Sequence, residues 1–290
     1  MKGRSFFFKT RRREAFQVRP ATRDDGQSVE ALLNYARRSY LALEWWTVQD
    51  FLGSPTLLLA IDQHEHPVGF LLAVIGDGSV AWLRAIAIAS NECLKPLLAA
   101  TAQAVVAQGG VSLALLGGKD WVLPELRSAN FRRVNQVVTL RHRGSWPAYS
   151  GPPGLCARAA TADDLDAILA VDHAAFTALW KYNREVLRRA LDMGFCFDVA
   201  YLDGECVGYQ LCTLRQGRGH IVRLAAHPRW QRQGIGGRLL NEALVALQQA
   251  GVGTVTVNTQ QDNEVSLQLY RRFSFERTHT SWDVWFRSLL

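Results

Sequence analysis

Along the second half of the chain, apolar and polar positions change period in a fixed order. A short extended run from Ala157 ends in "TADD" at 161–164, where a threonine is suited to capping a helix start and two acids to its N-terminal dipole. A helix is predicted next, then a variable helical segment. Two apolar runs then flank Asp203-Gly204 in "CFDVAYLDGECVGYQLCTL", the pattern of a hairpin. "HIVRLAAHP", 220–228, is apolar, ends on Pro228 and reads as a strand. "QGIGGRLLNEALVALQQAG" has helical periodicity through Leu239, Leu240, Leu244 and Leu247 and stops at Gly251. "TVTVNT" reads as a buried strand, "EVSLQLYRRF" as a short helix and "RTHTSWDVWFRSLL" as a last strand. The predicted class is mixed α/β.

The first half carries the same order. "VRPATRDD" from Val18 matches "ARAATADD" from Ala157 at an offset of 139, which places Arg19 on Arg158, Thr22 on Thr161 and Asp24-Asp25 on Asp163-Asp164. The same offset carries Gly69 onto Gly208 and Arg84 of "WLRAIAI" onto Arg223 of "IVRLAAH". Three matches at one offset indicate an internal repeat. "RGSWPAYSGPPG", 143–154, is dense in Pro, Gly and Ser and reads as the joint. The expected division is therefore a repeat at 15–148, a linker at 149–154 and a second repeat at 155–290, each with its own core.

Composition changes this picture little. Of the net charge of +7, residues 1–13 supply six Lys/Arg and no acid, so everything after them carries only +1. The folded body is nearly neutral, which argues against nucleic acid as a partner, and residues 1–14 are expected to be a basic disordered tail. With no apolar run long enough for a signal core or a spanning helix, a soluble, cytoplasmic protein without a membrane partner is expected. Five cysteines without a CxxC pair point to reduced thiols, mostly in the core, rather than to a disulfide framework or a zinc site; no metal is expected.

The chemistry concentrates in "HPRWQRQGIGGRLLNEAL", 227–244. A strand that runs through a Gly-rich turn into a helix aims unpaired backbone N–H groups and the helix dipole at one spot, a phosphate site. The dinucleotide fingerprint needs a glycine where Leu239 stands, and the nucleotide-triphosphate loop needs Gly-Lys-Ser/Thr, which the chain lacks. "QRQGIG" at 231–236 instead resembles the Q/R-x-x-G-x-G/A pyrophosphate loop of the GNAT superfamily of N-acetyltransferases. "DNEVSLQLYRRFSF" at 262–275 resembles a second motif of that family through Asn263, Ser266, Leu269, Tyr270 and Phe275. Both motifs fall in the second repeat.

The resemblance implies two tandem GNAT-like domains, each a mixed, mostly antiparallel sheet with splayed fourth and fifth strands and flanking helices. It also implies acetyl-coenzyme A as cofactor, with coenzyme A as product, and a primary amine as the substrate. Its pyrophosphate would sit on the amides of Gln233, Gly234, Ile235, Gly236 and Gly237, helped by Arg232 and Arg238, with Gln231 opening the cofactor-binding loop. The backbone of Leu224, Ala225 and Ala226 would meet the thioester and pantetheine, Asn263 and Ser266 would approach from the other side, and Tyr270 would protonate the departing thiolate. For the general base, histone-type members place a Glu where this chain has His220, whose imidazole can accept a proton. The ribosomal-protein alanine acetyltransferases use a Glu on the fifth strand, where Asn258 stands, so the chain departs from that substrate class. Ser274 replaces the usual Gly before Phe275. His227, ahead of Pro228, reads as structural.

At offset 139 the loop falls on "ECLKPL", 92–97, which has no glycine and includes Pro96, and Leu126 stands opposite Tyr270. One copy keeps the chemistry, and the other keeps only the fold. Trp45, Trp46 and Phe51 in the first copy, and Phe176, Trp180 and Tyr182 in the second, are either core or walls of an acceptor cleft. The leading reading is an N-acetyltransferase active in the second repeat. Two alternatives stay open: acetylation of a small thiol-bearing or sugar amine, as in the tandem mycothiol synthases, and a sensor that binds acetyl-coenzyme A without turnover.

Overall fold

The computed structural model describes residues 16–77 and 79–290; the segment 1–14, expected as a basic tail, lies outside the described residues. The first repeat runs β1 (Gln17–Pro20), α1 (Gly26–Tyr35), β2 (Arg38–Leu41), β3 (Leu57–Ile61), β4 (Pro67–Ile75), β5 (Val80–Ile88), α2 (Leu94–Ala107), β6 (Ser112–Leu116), α3 (Leu123–Ser128) and β7 (Arg132–His142). The second runs β8 (Cys156–Ala159), α4 (Leu165–Ala175), α5 (Arg184–Met193), β9 (Cys196–Leu202), β10 (Glu205–Arg215), β11 (Arg218–Ala226), α6 (Ile235–Gln249), β12 (Thr254–Gln260), α7 (Glu264–Arg272) and β13 (Phe275–Ser288). Every element expected in the second repeat is present.

Each repeat opens with the same clamp. Arg19 donates two hydrogen bonds of 2.7 Å to the Asp25 carboxylate, which also accepts from the Thr22 amide at 2.7 Å and hydroxyl at 2.8 Å. In the second copy Arg158 donates to Asp164 at 2.8 and 2.7 Å, and Asp164 accepts from the Thr161 amide at 2.8 Å and hydroxyl at 3.0 Å. The acid reaches back over the helix start as a capping box in both.

The strands form one sheet in the order β1-β3-β4-β5-β6-β13-β7-β12-β11-β10-β9-β8, with β2 on β5. Pairing is antiparallel except in β5–β6 and β11–β12. Both parallel pairs part early. β11 and β12 stay in register only from Arg218↔Thr254 to Ile221↔Val257, and β5 and β6 only from Val80↔Ser112 to Trp82↔Ala114. The sheet therefore contains two forks. Between them the last strands are exchanged: β7 of the first repeat pairs with β12, β13 of the second pairs with β6, and the two pair with each other.

Side chains alternate across the sheet and bury both faces. In β9, Phe197 and Val199 pack under α4 and α5, whereas Ala200 and Leu202 pack under α6. α6 presents Leu239, Leu240, Ala243, Leu244 and Leu247 to the sheet, a stripe of helical period, and ends before Gly251 at φ 70°. Cys93 and Cys212 are buried, but Cys156 is exposed and Cys196 and Cys206 are half-buried, so the cysteines are less confined to the core than expected. Among the described residues, no helix is long and apolar enough to cross a membrane.

Candidate active site

β11 runs through His227 and a single turn (Pro228–Trp230) into the loop that starts α6. His227 accepts the Arg229 amide at its Nδ1, 3.3 Å away, which is a turn-closing role. Gly234 sits at the helix N-cap with φ 92° and offers no side chain to the helix start. Among the described residues, the backbone N–H groups of Gln233, Gly234, Ile235, Gly236 and Gly237 have no protein acceptor, and the first bond of the helix runs from Arg238 N to Gly234 O at 3.0 Å. Consecutive free amides at the positive end of a 15-residue helix form a cradle suited to an anion. A Cβ on Gly236 would meet only the Leu269 side chain at 3.3 Å. At Gly234 and Gly237 it would press on the Tyr149 ring, 2.7 Å from Oη and 2.8 Å from Cε1, so packing against the linker also requires those glycines.

The loop side chains diverge. Gln231 Nε2 donates to the Ala226 carbonyl at 3.2 Å, which ties the loop to the strand end. Arg232 is exposed at φ 61°. Arg238 is occupied by Glu242 at 2.5 Å and the Ser150 carbonyl at 3.0 Å, contacts with its own helix and the linker.

In front of the β11–β12 fork lies a cavity of about 450 Å³ that gathers His220, Leu224, Asn263, Ser266 and Tyr270 into one wall. His220 is half-buried with Nδ1 2.9 Å from Thr256 Oγ1. Burial holds its pKa below the ordinary histidine value, opposed in part by the Glu44 carboxylate, so the imidazole is neutral and able to accept a proton near neutral pH. Tyr270 is 5% exposed, packs on Phe275 with ring centres 5.6 Å apart and has its pKa raised by burial, so the phenol keeps its proton. Asn263 Oδ1 accepts from the Ser266 amide at 3.1 Å and caps α7. On the fifth strand Asn258 accepts from Thr139 of β7 at 3.0 Å. Ser274 adopts φ 57°, a left-handed turn that a glycine takes without strain.

Beside the fork is a buried polar centre that sequence reasoning missed. Arg223 donates to Asp172 Oδ2 from Nε at 2.9 Å and Nη2 at 2.5 Å, and to the Trp180 carbonyl at 2.6 Å. Tyr209 donates to the same carboxylate oxygen, and the Tyr182 amide donates to the other at 2.9 Å. The guanidinium lies 3.5 Å from the Phe176 ring centre and 4.0 Å from that of Tyr182. This centre stiffens β11 where its edge opens, and it fixes the segment 176–183 as a wall of the cavity. A signal existed: Asp172 falls in the apolar stripe of α4 with Leu165 and Ile168.

The aromatic clusters divide between the two expected uses. Trp45 is 2% exposed, yet it borders the cavity with Trp46, Phe176, Trp180 and Tyr182, whereas Phe51 stands back against Trp46 with ring centres 6.2 Å apart. In the first repeat Ser90 Oγ accepts the Glu92 amide at 3.4 Å, Pro96 sits in the first turn of α2 and Leu126 is buried. The segment 179–180 of the second repeat lies against the first fork, with Trp82 Nε1 donating to the Leu179 carbonyl at 3.0 Å and the Trp82 and Trp180 rings 5.2 Å apart.

A forked mixed sheet with an amide cradle at the helix after the fourth strand defines an acetyltransferase fold, here in tandem. The comparisons with known proteins agree: the second repeat matches a GNAT acetyltransferase family model, and the whole chain shares its fold with solved acetyltransferases. The model of the Acetyltransferase (GNAT) family matches residues 164–275. A mycothiol acetyltransferase of Clavibacter sepedonicus is 26% identical over 240 residues, 77% of this chain and 78% of that protein. Among solved structures, a GCN5-related N-acetyltransferase from Sphaerobacter thermophilus superposes with a TM-score of 0.62 at 15% identity, covering 94% of this chain and 96% of that one. A tandem GNAT protein from the clavulanic acid biosynthesis pathway does so with a TM-score of 0.58 at 14% identity, covering 95% and 99%.

Proposed function

We propose that the chain is an acetyl-coenzyme A-dependent N-acetyltransferase that acetylates a primary amine at the β11–β12 fork. In this reading 155–290 is the catalytic domain and 15–148 a fold-keeping domain without a pyrophosphate loop. The observation that carries the reading is the run of unpartnered amides at 233–237 opening α6 beside a cavity that holds both His220 and Tyr270. Bound acetyl-coenzyme A would supply an activated acetyl thioester. The amides of 233–237 fit its pyrophosphate, with Gln231 and Arg232 at the loop edge, and Arg238 supports the loop through the linker. Leu224, Ala225 and Ala226 offer the strand edge left open by the fork, with Asn263 and Ser266 on the facing wall. His220 takes the proton of the incoming ammonium, and Tyr270 Oη holds the proton for the departing sulfur. The Clavibacter relative, matched over both repeats, favours a small thiol- or sugar-bearing amine as the second reading.

A panel of amines, peptides and amino sugars assayed for coenzyme A release tests the activity, and silence across the panel with intact cofactor binding would favour a sensor instead. Tyr270→Phe keeps the ring and removes one oxygen, so kcat should fall roughly 10²-fold with cofactor affinity kept. His220→Ala should remove an acidic limb whose midpoint lies below the ordinary histidine pKa of about 6.5. A limb that survives assigns the proton to another group.

A further inference from the structure

Four cationic side chains, Arg84, Lys181, Arg215 and Arg223, line the cavity against one carboxylate, Glu44. Arg223 is neutralised by Asp172. Arg84 is its counterpart at offset 139, but the groups that hold Arg223 are gone from the first repeat: Leu33 stands in place of Asp172 and Phe70 in place of Tyr209. The half-buried Arg84 guanidinium makes one long hydrogen bond, 3.4 Å to the Ala42 carbonyl, and lies 5.2 Å from the Trp82 ring centre. It forms no ion pair among the described residues, and Glu44 accepts instead from Tyr182 Oη at 3.4 Å. Most of its five donors are therefore free at the cavity wall. An alkylammonium entering a cavity with excess positive charge is repelled unless it carries an anion of its own.

We propose that the acceptor amine bears an acidic group, carboxylate or phosphate, which Arg84 holds while the amine reaches the second fork. The first repeat thereby supplies the specificity of a site whose chemistry belongs to the second. The proposal rests on the acetyltransferase reading for its reaction but not for its binding.

The test uses the full chain, acetyl-coenzyme A and paired amines that differ only in the acid: α-amino acids against their carboxamides, and glucosamine 6-phosphate against glucosamine. The acidic member of at least one pair should react with a kcat/KM roughly tenfold or more above its neutral partner, the scale of one charged hydrogen bond, and the pair that shows it tells carboxylate from phosphate. Arg84→Gln should erase that preference mainly through KM, and Arg84→Lys should restore part of it. Trp82 and Trp180 border the site, so tryptophan fluorescence reads binding of the same amines without cofactor. Acid-selective binding lost in Arg84→Gln, with no amine turned over, upholds the proposal and sinks the acetyltransferase reading. Equal rates within every pair, a preference that survives Arg84→Gln, or neither binding nor turnover of any acidic amine overturns it.

Discussion

The two forks are built from equivalent strand pairs, each parallel for only three or four residues, and they differ in what surrounds them. In the second, a left-handed glycine opens α6, leaves five amides unpartnered and sets a cavity beside them. In the first, a serine and the chain's own turns satisfy the start of α2, while Leu179 and Trp180 of the other repeat pack against the fork. Both parallel pairs part, so the glycine and the polar clamp go with the second fork's loop and cavity wall and not with the parting of the strands itself. The first fork, which has neither feature, has apolar side chains of the other repeat packed against it.

The largest break in this comparison comes from separating the repeats. Because β7 covers the outer edge of β12 and β13 lies between β6 and β7, residues 155–290 expressed alone would leave β12 with a bare edge and β13 without either neighbour. We expect that fragment to show no cooperative thermal unfolding, and co-expression with residues 1–154 to restore it. A fragment that melts cooperatively would mean that β13 can fold back onto β12 unaided.

Next in size is the cradle. Gly236→Asp introduces a carboxylate among amides that attract anions, at a position where a side chain meets only Leu269. Calorimetry should find one acetyl-coenzyme A per wild-type chain and none in the variant, with the melting curve unchanged. A stoichiometry of two would show that the first fork also binds.

The buried clamp comes third. Asp172→Ala leaves Arg223, 8% exposed, without its carboxylate, and removing one partner of a buried pair costs roughly 3–5 kcal/mol. Arg84→Ala at the matching position of the first repeat removes one long hydrogen bond and should cost under about 1 kcal/mol. Denaturant midpoints at constant m compare them, and equal losses would mean that Arg84 is held as firmly as Arg223.

The order of elements, the repeat and the glycine-opened helix start were legible because each follows from short-range pattern: hydrophobic period, a hairpin pair, a glycine run ahead of a helix. The strand exchange was not. β7 and β13 both alternate well enough to be strands, but which edge each covers depends on partners more than 100 residues away, and an alternating strand fits either edge. Asn263, Ser266 and Tyr270 were linked in the sequence only through the family motif, and they line one cavity because α7 and its N-cap border the fork. Arg223 was visible only as a repeat marker, since its meaning depends on Asp172, 51 residues earlier, and an aspartate in an apolar stripe shows its partner only once the helix is packed.

The smallest effect concerns what the repeats still share. Asp25 and Asp164 hold the same position in the same clamp, and both have pKa values well below the usual carboxylate range, first through the hydrogen bond from Arg19 or Arg158 and then through the threonine. A depressed folded-state pKa contributes stability that is fully present above the unfolded value of about 3.9 and is lost as pH falls toward the folded one. Melting temperatures followed from about pH 7 to about pH 2 should therefore hold until near pH 4 and decline below it. Asp25→Asn and Asp164→Asn should each lower the melting temperature at neutral pH by roughly 2–4 °C and flatten part of the acid decline. The two should not be equal. Asp164 also accepts from Tyr201 Oη at 2.9 Å, a bond the Asp25 clamp does not record, so Asp164→Asn should be the more damaging and Tyr201→Phe should remove most of the difference. If the Asp25 variant proves the worse, the first repeat contributes more than the second to the stability of the common sheet.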